Sequence, residues 1–344
     1  MGFYAPSQLV RDAREHGVEV RPADINHSGR DSLLEDDGWA IAGHIWPRHA
    51  EMEQHIHTTK ALRLGLRSVE GLAEKDALTI VERRGTGYAS IRDLWLRTGL
   101  PIASLEKLAR ADAFASLGLN RRDALWAVKG LIGTHGAETL PLFAEAEAPA
   151  GPGNEENPAL PLMSPGEEVI HDYATLSLSL KGHPVEFLRP MLMARGTTRA
   201  GNLPHIASDL RIEVAGLVLV RQRPGTASGV VFATLEDETG IANVVLWPKV
   251  FLANRKTILS SRLLAVRGKV QSERGVIHVI AESVEDLTPH LLDLAHGKDI
   301  NDRILARGDE GRSGPPDTDS RNREAARERE MARRRAYAAL PGGR

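Results

Sequence analysis

The apolar pattern of this chain changes period near residue 209, and that change constrains the fold more than any other feature. Upstream, apolar residues recur at helical spacing, as at Ala77, Ile80 and Val81. Downstream, short apolar runs are broken by turn residues at the spacing of an all-β module. Strands are expected at Arg211 to Val220, Val230 to Glu236, Ile241 to Trp247, Leu263 to Gln271 and Val276 to Val284. Asp237-Glu238-Thr239-Gly240 reads as a hairpin turn, and a short helix is expected near Lys249 to Asn254. Gly216 and Gly268 fall inside strands, where a small curled barrel needs bends.

Five short strands with a helix after the third match the OB-fold, whose face and loops bind oligonucleotides. The expectation is an OB-fold β-barrel over 209–290. Arg221 and Arg223 are read as lying in the loop after the first strand, with Lys249, Arg255, Arg267, Lys269, Arg274 and His278 adding positive or polar groups. Trp247 and Phe232 are aromatic enough to stack on bases. Core is the competing reading for both, and the strand setting of Phe232 favours core there.

Upstream, Leu64 to Val81 (LGLRSVEGLAEKDALTIV) reads as a short helix, a tight turn at Gly71 and a second helix. Glu74 and Asp76 sit in the first turn of that second helix, where its dipole favours acids. The first N–H groups of a helix have no intrahelical partner and can hold a phosphate. Val69, Gly71 and Ala73 shape the turn, and Arg67, Lys75, Arg83 and Arg84 are near enough in sequence to add charge. The pattern resembles a helix-hairpin-helix motif, which grips duplex DNA by its backbone. That motif usually has glycine where Ala73 stands. An ordinary helical hairpin in a core is the alternative.

A second helical pair follows. Ser90 to Leu96 is one helix, Gly99-Leu100-Pro101 the turn, and the next helix starts at Ser104 as its cap. Asn120 to Lys129 is a further amphipathic helix. The whole chain has 344 residues and a formal net charge of −2, so it carries no global basic field. Residues 61 to 130, however, hold twelve Lys or Arg against eight Asp or Glu. A tandem helix-hairpin-helix domain over 61–132 explains both pattern and charge. The class is therefore α+β and multidomain, a tandem helix-hairpin-helix helical domain followed by a five-stranded OB-fold β-barrel.

The remaining segments are less patterned. Residues 1–60 open with a helix from Pro6 to about His16, ended by Gly17, and continue irregularly through His44, His49, His55 and His57. His55-x-His57 has a spacing seen in metal sites, but no second ligand cluster surrounds it, and a solvated loop is the better reading. Residues 133–168 are rich in Pro, Gly, Ala and Glu and read as a flexible linker. At its start lies Thr139-Leu140-Pro141-Leu142-Phe143; short peptides ending Leu-Phe dock into the sliding clamp in many DNA enzymes, although they normally begin with Gln where Thr139 stands, and an apolar pair packing on the last helix is the equal alternative. Residues 169–208 supply connecting helices, one of them starting at Pro184, and the charged tail 291–344 is expected to be disordered. The sequence has no cysteine, which excludes disulfides and thiolate metal sites. No apolar run approaches the ~18 residues of a membrane span, so a cytoplasmic protein without membrane contact is expected.

Taken together, Gly2-Phe3-Tyr4-Ala5-Pro6, VRDAREHGVEVRPADIN, RLGLRSVEGL, ADAFASLGLNRRDALWAV, LSLKGHPVEFLRP and VAGLVLVRQRPGTASGVVFATLEDETGIANVVLWP resemble, in order, the C-terminal third of a bacterial C-family DNA polymerase. The error-prone, damage-inducible relative of the replicative alpha subunit is the branch it looks like. The segment 38–60 and the tail depart from that pattern. The resemblance implies synthesis past lesions, duplex and single-stranded DNA as ligands, and as partners the sliding clamp, through Leu140, Leu142 and Phe143, and a lesion-bypass accessory protein. The family's palm, with its aspartates and two Mg²⁺ ions, and its phosphoesterase-like domain correspond to sequence upstream of Gly2. The expectation is therefore no catalytic residue, no metal and no cofactor in this chain, 1–60 as the remnant of a preceding polymerase domain, and a truncated or split gene as the simple account.

Three functional classes follow. The first is the DNA-binding portion of an error-prone polymerase. The second is a free-standing accessory protein for single-stranded or junction DNA. The third is an enzyme using His44, His55 and His57.

Overall fold

The computed structural model describes residues 5–39, 43–56, 59–131, 160–224, 229–273 and 275–295. Helix α1 (Pro6–Glu15) leads into a small sheet of β1 (Val20–Arg21), β2 (Leu33–Glu35) and β3 (Ala61–Arg63) in the order β1-β3-β2. The β2–β3 pair is antiparallel with Glu35 opposite Ala61, so 36–60 is the excursion of one hairpin. That excursion packs back on α1: Trp46 N–H donates to Glu15 O at 3.0 Å, and Trp39 Nε1 donates to Gly17 O at 2.8 Å. The sheet runs across the boundary expected at residue 60, and Ala23 and Ile25 are buried in the same core as the helices that follow. Those helices are α2 (Glu74–Arg83), α3 (Ile91–Thr98), α4 (Ile102–Arg110) and α5 (Arg121–Gly130). Leu66, Ile80, Leu94, Leu105, Leu108 and Phe114 fill their common core, each fully buried.

Two connecting helices, α6 (Pro165–Leu176) and α7 (Pro184–Ala194), precede the barrel. Helix α6 begins inside the stretch expected to be linker. Ser164 and Glu167 form a reciprocal capping box there, and Pro165 occupies the first position, where it gives up no hydrogen bond.

The barrel consists of β4 (Arg211–Gln222), β5 (Val231–Glu236), β6 (Ile241–Leu246), helices α8 (Pro248–Ala253) and α9 (Arg255–Ser260), β7 (Leu263–Glu273) and β8 (Val276–Asp286). It closes in the order β4-β5-β6-β8-β7, with β6 and β8 parallel. Phe251 and Ile258 from α8 and α9 plug one end of its core. Closure is tight at Gly268. A Cβ there would meet the Ile280 carbonyl oxygen at 2.2 Å, and the register shifts between Arg267 and Gly268. Glycine is thus required by the approach of the neighbouring backbone.

A last helix, α10 (Thr288–Leu294), packs with α6 and α7 on the outside of β4 and β7, where Ile170, Val185, Leu188 and Leu291 meet Ala215, Leu217, Leu263 and Ala265. Being covered on both faces, β4 reads as a nearly continuous apolar run. On the outer faces of β5 and β6, Phe232, Ile241 and Asn243 stay exposed, while Glu236 and Val245 are buried. Ion pairs fix the helical part to the barrel: Arg11 Nη1 reaches Glu236 at 2.5 Å, and Arg189 reaches Asp237 at 3.1 Å and Glu238 at 2.6 Å. Arg121, with its side chain 1% exposed, joins α5 to α6 through Asp172 and Glu168. Among the described residues no helix is long and apolar enough to cross a membrane.

Candidate nucleic-acid interface

The hairpin turn forms where the sequence asks for it. A 3-10 turn at Leu66–Ser68 leads to Val69, whose side chain is buried, and then to Gly71 at φ +72°. Glycine takes this conformation without the penalty a side chain would bring. Helix α2 starts at Glu74 behind Ala73, which lies in extended backbone at φ −69° and so needs no glycine. Intrahelical bonding begins at Asp76, whose N–H donates to Ala73 O at 3.0 Å. Ahead of it, the N–H groups of Ala73, Glu74 and Lys75 have no acceptor among the described residues.

Helix α4 holds this turn from the side. Lys107 Nζ donates to Gly71 O at 2.6 Å, and Ser104 Oγ donates to the buried Asp76 carboxylate at 2.6 Å. Ser104 is therefore not a cap. Helix α4 begins at Ile102 behind Pro101, and Ser104 is spent on the neighbouring hairpin. Neither Ser104 nor Lys107 stands out in sequence, because their partners lie 28 and 36 residues away.

The expected cations divide. Lys75 and Arg83 are exposed, and their side chains have no partner among the described residues. Arg67 is exposed but bonded to Asp31 at 2.7 Å. Arg84 does not belong to the surface: its Nε donates to Ile25 O at 2.7 Å and its Nη2 to Ser28 O, and burial lowers its pKa below the ordinary arginine value. Its task is to tie α2 to the turn at 25–28.

On the barrel, alternation decides what faces out. Val231, Ala233 and Leu235 of β5 and Ala242, Val244 and Leu246 of β6 are core. Phe232, Thr234, Asn243 and Val245 take the opposite face, with Phe232 opposite Val245 and Thr234 opposite Asn243. Phe232 is 38% exposed, which overturns its assignment to the core, and Trp247 is 53% exposed at the end of the same row. His278 continues the face through its pairing with Asn243. Two accessible rings thus stand on one face, beside Thr234, Asn243 and His278 and over the buried Val245.

Arg221 is a second correction. It lies within β4, opposite the core residue Ala233, and donates to Ser261 O, so it braces the barrel wall and is not in the loop. Arg223 is exposed, with its guanidinium 5.5 Å from the Phe251 ring. Lys249 is exposed, while Arg267 pairs with Glu213 at 3.2 Å and Lys269 with Asp209 at 2.6 Å. Arg274, Leu140, Leu142, Phe143 and His57 lie outside the described residues. His44 stacks on Trp39 at 4.3 Å, and among the described residues no three His, Asp or Glu side chains converge as metal ligands.

Comparison with known proteins agrees with this layout. Residues 17–124 match a family model described as a helix-hairpin-helix motif, and 212–287 match one described as an OB-fold nucleic acid binding domain. Error-prone DNA polymerase 1 of Rhizobium meliloti is 55% identical over 291 residues, covering 85% of this chain and 26% of that protein. The error-prone DNA polymerases of Sinorhizobium medicae and Caulobacter vibrioides are 54% and 49% identical, over 85% and 86% of this chain and 26% and 27% of their own lengths. The chain thus spans about a quarter of the length of the curated relatives it matches. Among solved structures, asparaginyl-tRNA synthetase from Pyrococcus horikoshii aligns at a TM-score of 0.24 and 22% identity, over 26% of this chain and 23% of that one.

Proposed function

We propose that this chain, similar along most of its length to error-prone DNA polymerases, holds DNA during error-prone synthesis past lesions. The hairpin unit takes duplex by its phosphates, through the unpartnered N–H groups at Ala73 to Lys75 and the side chains of Lys75 and Arg83. The open face of β5 and β6 takes single strand by stacking on Phe232 and Trp247. The observation that carries the reading is this face, because Phe232 and Trp247 lie accessible on one face of β5 and β6, where each offers a flat ring to a base.

Binding to single-stranded, duplex and primer-template DNA at two salt concentrations tests it. Lys75→Glu with Arg83→Glu should weaken duplex binding equally for all sequences and lower the salt slope by roughly 2, at about 0.9 per phosphate contact. Unchanged duplex affinity and slope would remove the hairpin from the reading. By the same family likeness, Leu140, Leu142 and Phe143 are proposed to contact a sliding clamp, and an accessory lesion-bypass protein is a proposed partner, both in the cytoplasm. Loss of clamp capture on replacing Leu142 and Phe143 by alanine is the expected result. The chain alone is proposed to bind primer-template without extending it, since its carboxylates do not gather into a Mg²⁺ site among the described residues. Template-dependent extension by the pure protein would contradict that.

A further inference from the structure

The stretch from Gly240 to Ser272 contains no Asp or Glu and six cations: Lys249, Arg255, Lys256, Arg262, Arg267 and Lys269. Folding neutralises some of them and leaves others. On the β7 side, Arg267 is paired with Glu213 and Lys269 with Asp209, and Arg211 on the adjoining strand is paired with Glu282 at 3.0 Å. On the α8–α9 side, Lys249, Arg255 and Lys256 are exposed and have no carboxylate within 4.0 Å among the described residues. Both flanks of the open face are basic in sequence, but only one keeps its charge.

We infer that a single strand stacked on Phe232 and Trp247 leaves the platform along α8 and α9, over Lys249, Arg255 and Lys256, and not across β7. This rests on the proposed binding of single strands by the barrel. Trp247 is the residue immediately before α8, so the rail starts where the stacking surface ends. Helix α8 advances about 9 Å at 1.5 Å per residue and hands directly to α9, which opens on Arg255. Along the same helices, Leu252 and Leu259 are 68% and 50% exposed and offer apolar contact to sugars and bases. A phosphate arriving at Lys249 meets an unneutralised ammonium. One arriving at Lys269 would first have to displace the Asp209 carboxylate at 2.6 Å.

The test uses the full chain and thymidine strands of about 4 and about 12 nucleotides, within the range that OB barrels cover. Two double variants are compared, Arg255→Gln with Lys256→Gln, and Arg211→Gln with Lys269→Gln. Both sets are surface residues, and circular dichroism verifies the fold. A single-strand phosphate contact contributes about 0.7 to the salt slope, so loss of two should lower the slope by about 1.4 and weaken the longer strand about 60-fold at 50 mM salt and about tenfold at 200 mM. The shorter strand should bind the Arg255/Lys256 variant as it binds the wild type. The Arg211/Lys269 variant should stay within about twofold for both strands. Equal losses in the two variants, or a larger loss in the Arg211/Lys269 pair, would overturn the path while leaving the platform reading intact. Wild-type affinity of the Arg255/Lys256 variant for the longer strand would do the same. If the wild type binds neither strand, the platform reading falls and this inference falls with it.

Discussion

Arg121 is the residue whose removal separates structural from electrostatic value most cleanly. Its side chain is 1% exposed, Nη1 reaches Glu168 Oε2 at 2.9 Å and Nη2 donates to Asp172. Replacing it with methionine keeps the apolar stem and leaves the Asp172 carboxylate, 5% exposed, with Ser179 Oγ at 2.7 Å and Lys181 Nζ at 4.0 Å. Breaking a buried pair by removing one partner costs about 3–5 kcal/mol. The two remaining neighbours place this case at the lower end, about 3 kcal/mol. Arg121 Nε is itself buried without an acceptor, so the native pair is incompletely compensated. Arg121→Met with Asp172→Leu should therefore recover most of the loss, ending within about 1.5 kcal/mol of the wild type. Urea unfolding at neutral pH, followed by circular dichroism, measures both, and the single variant should lower the midpoint by about 1 M or more. A single variant costing under 1 kcal/mol, or a double variant no more stable than the single, would refute the argument.

Other perturbations follow from the same geometry. Gly268→Ala should cost at least about 3 kcal/mol, because its Cβ would strike the Ile280 backbone; Gly118→Ala, at φ +69° with nothing within 4 Å, should cost only about 1 kcal/mol in the same urea titration. Arg84→Met should lower stability by about 2–3 kcal/mol through two lost hydrogen bonds to carbonyls, while duplex salt slope stays unchanged. Phe232→Leu should weaken single-strand binding by about 1–3 kcal/mol equally at low and high salt, and a salt-dependent loss would argue against stacking. Burial alone would raise the Glu236 carboxyl, but His183 and Arg11 beside it overrule that and hold it below the ordinary glutamate range. A depressed carboxylate stabilises the fold above its unfolded pKa of about 4.3 and loses that contribution as pH falls through the folded value. The urea midpoint should thus drop below about pH 4.3, less steeply in Glu236→Gln.

The barrel was legible in sequence because alternation and turn residues are local signals. All five strands and the helix after the third lie where the pattern puts them, with ends shifted by a residue or two. What was not legible is which of two alternating faces turns inward. In β5 the bulkiest residue, Phe232, faces out while Ala233 faces in, because the register against β6 sets Ala233 beside the core residue Val244 and Phe232 beside Val245. Arg221 escaped for a related reason: the register shift between Val218 and Val220 sets its direction, and no residue type announces that shift. Arg84 and Ser104 are governed by partners distant in sequence. The start of α6 was readable, since Ser164 and Glu167 stand at capping-box spacing, but the surrounding composition outweighed it.

The β2–β3 hairpin has a consequence for how this chain tolerates change. Glu35 and Ala61 face each other, so the 25 residues from 36 through 60 leave the sheet and return to it at one point. Closing such a loop in place of a turn of about four residues costs only about 1.6 kcal/mol, since the entropy grows with the logarithm of length. The contacts of Trp39 and Trp46 with the end of α1 lie on the credit side of that small sum. Sequence can therefore accumulate or vanish between Glu35 and Ala61 without moving a strand out of register, and the hairpin acts as a graft junction where relatives are free to differ in length.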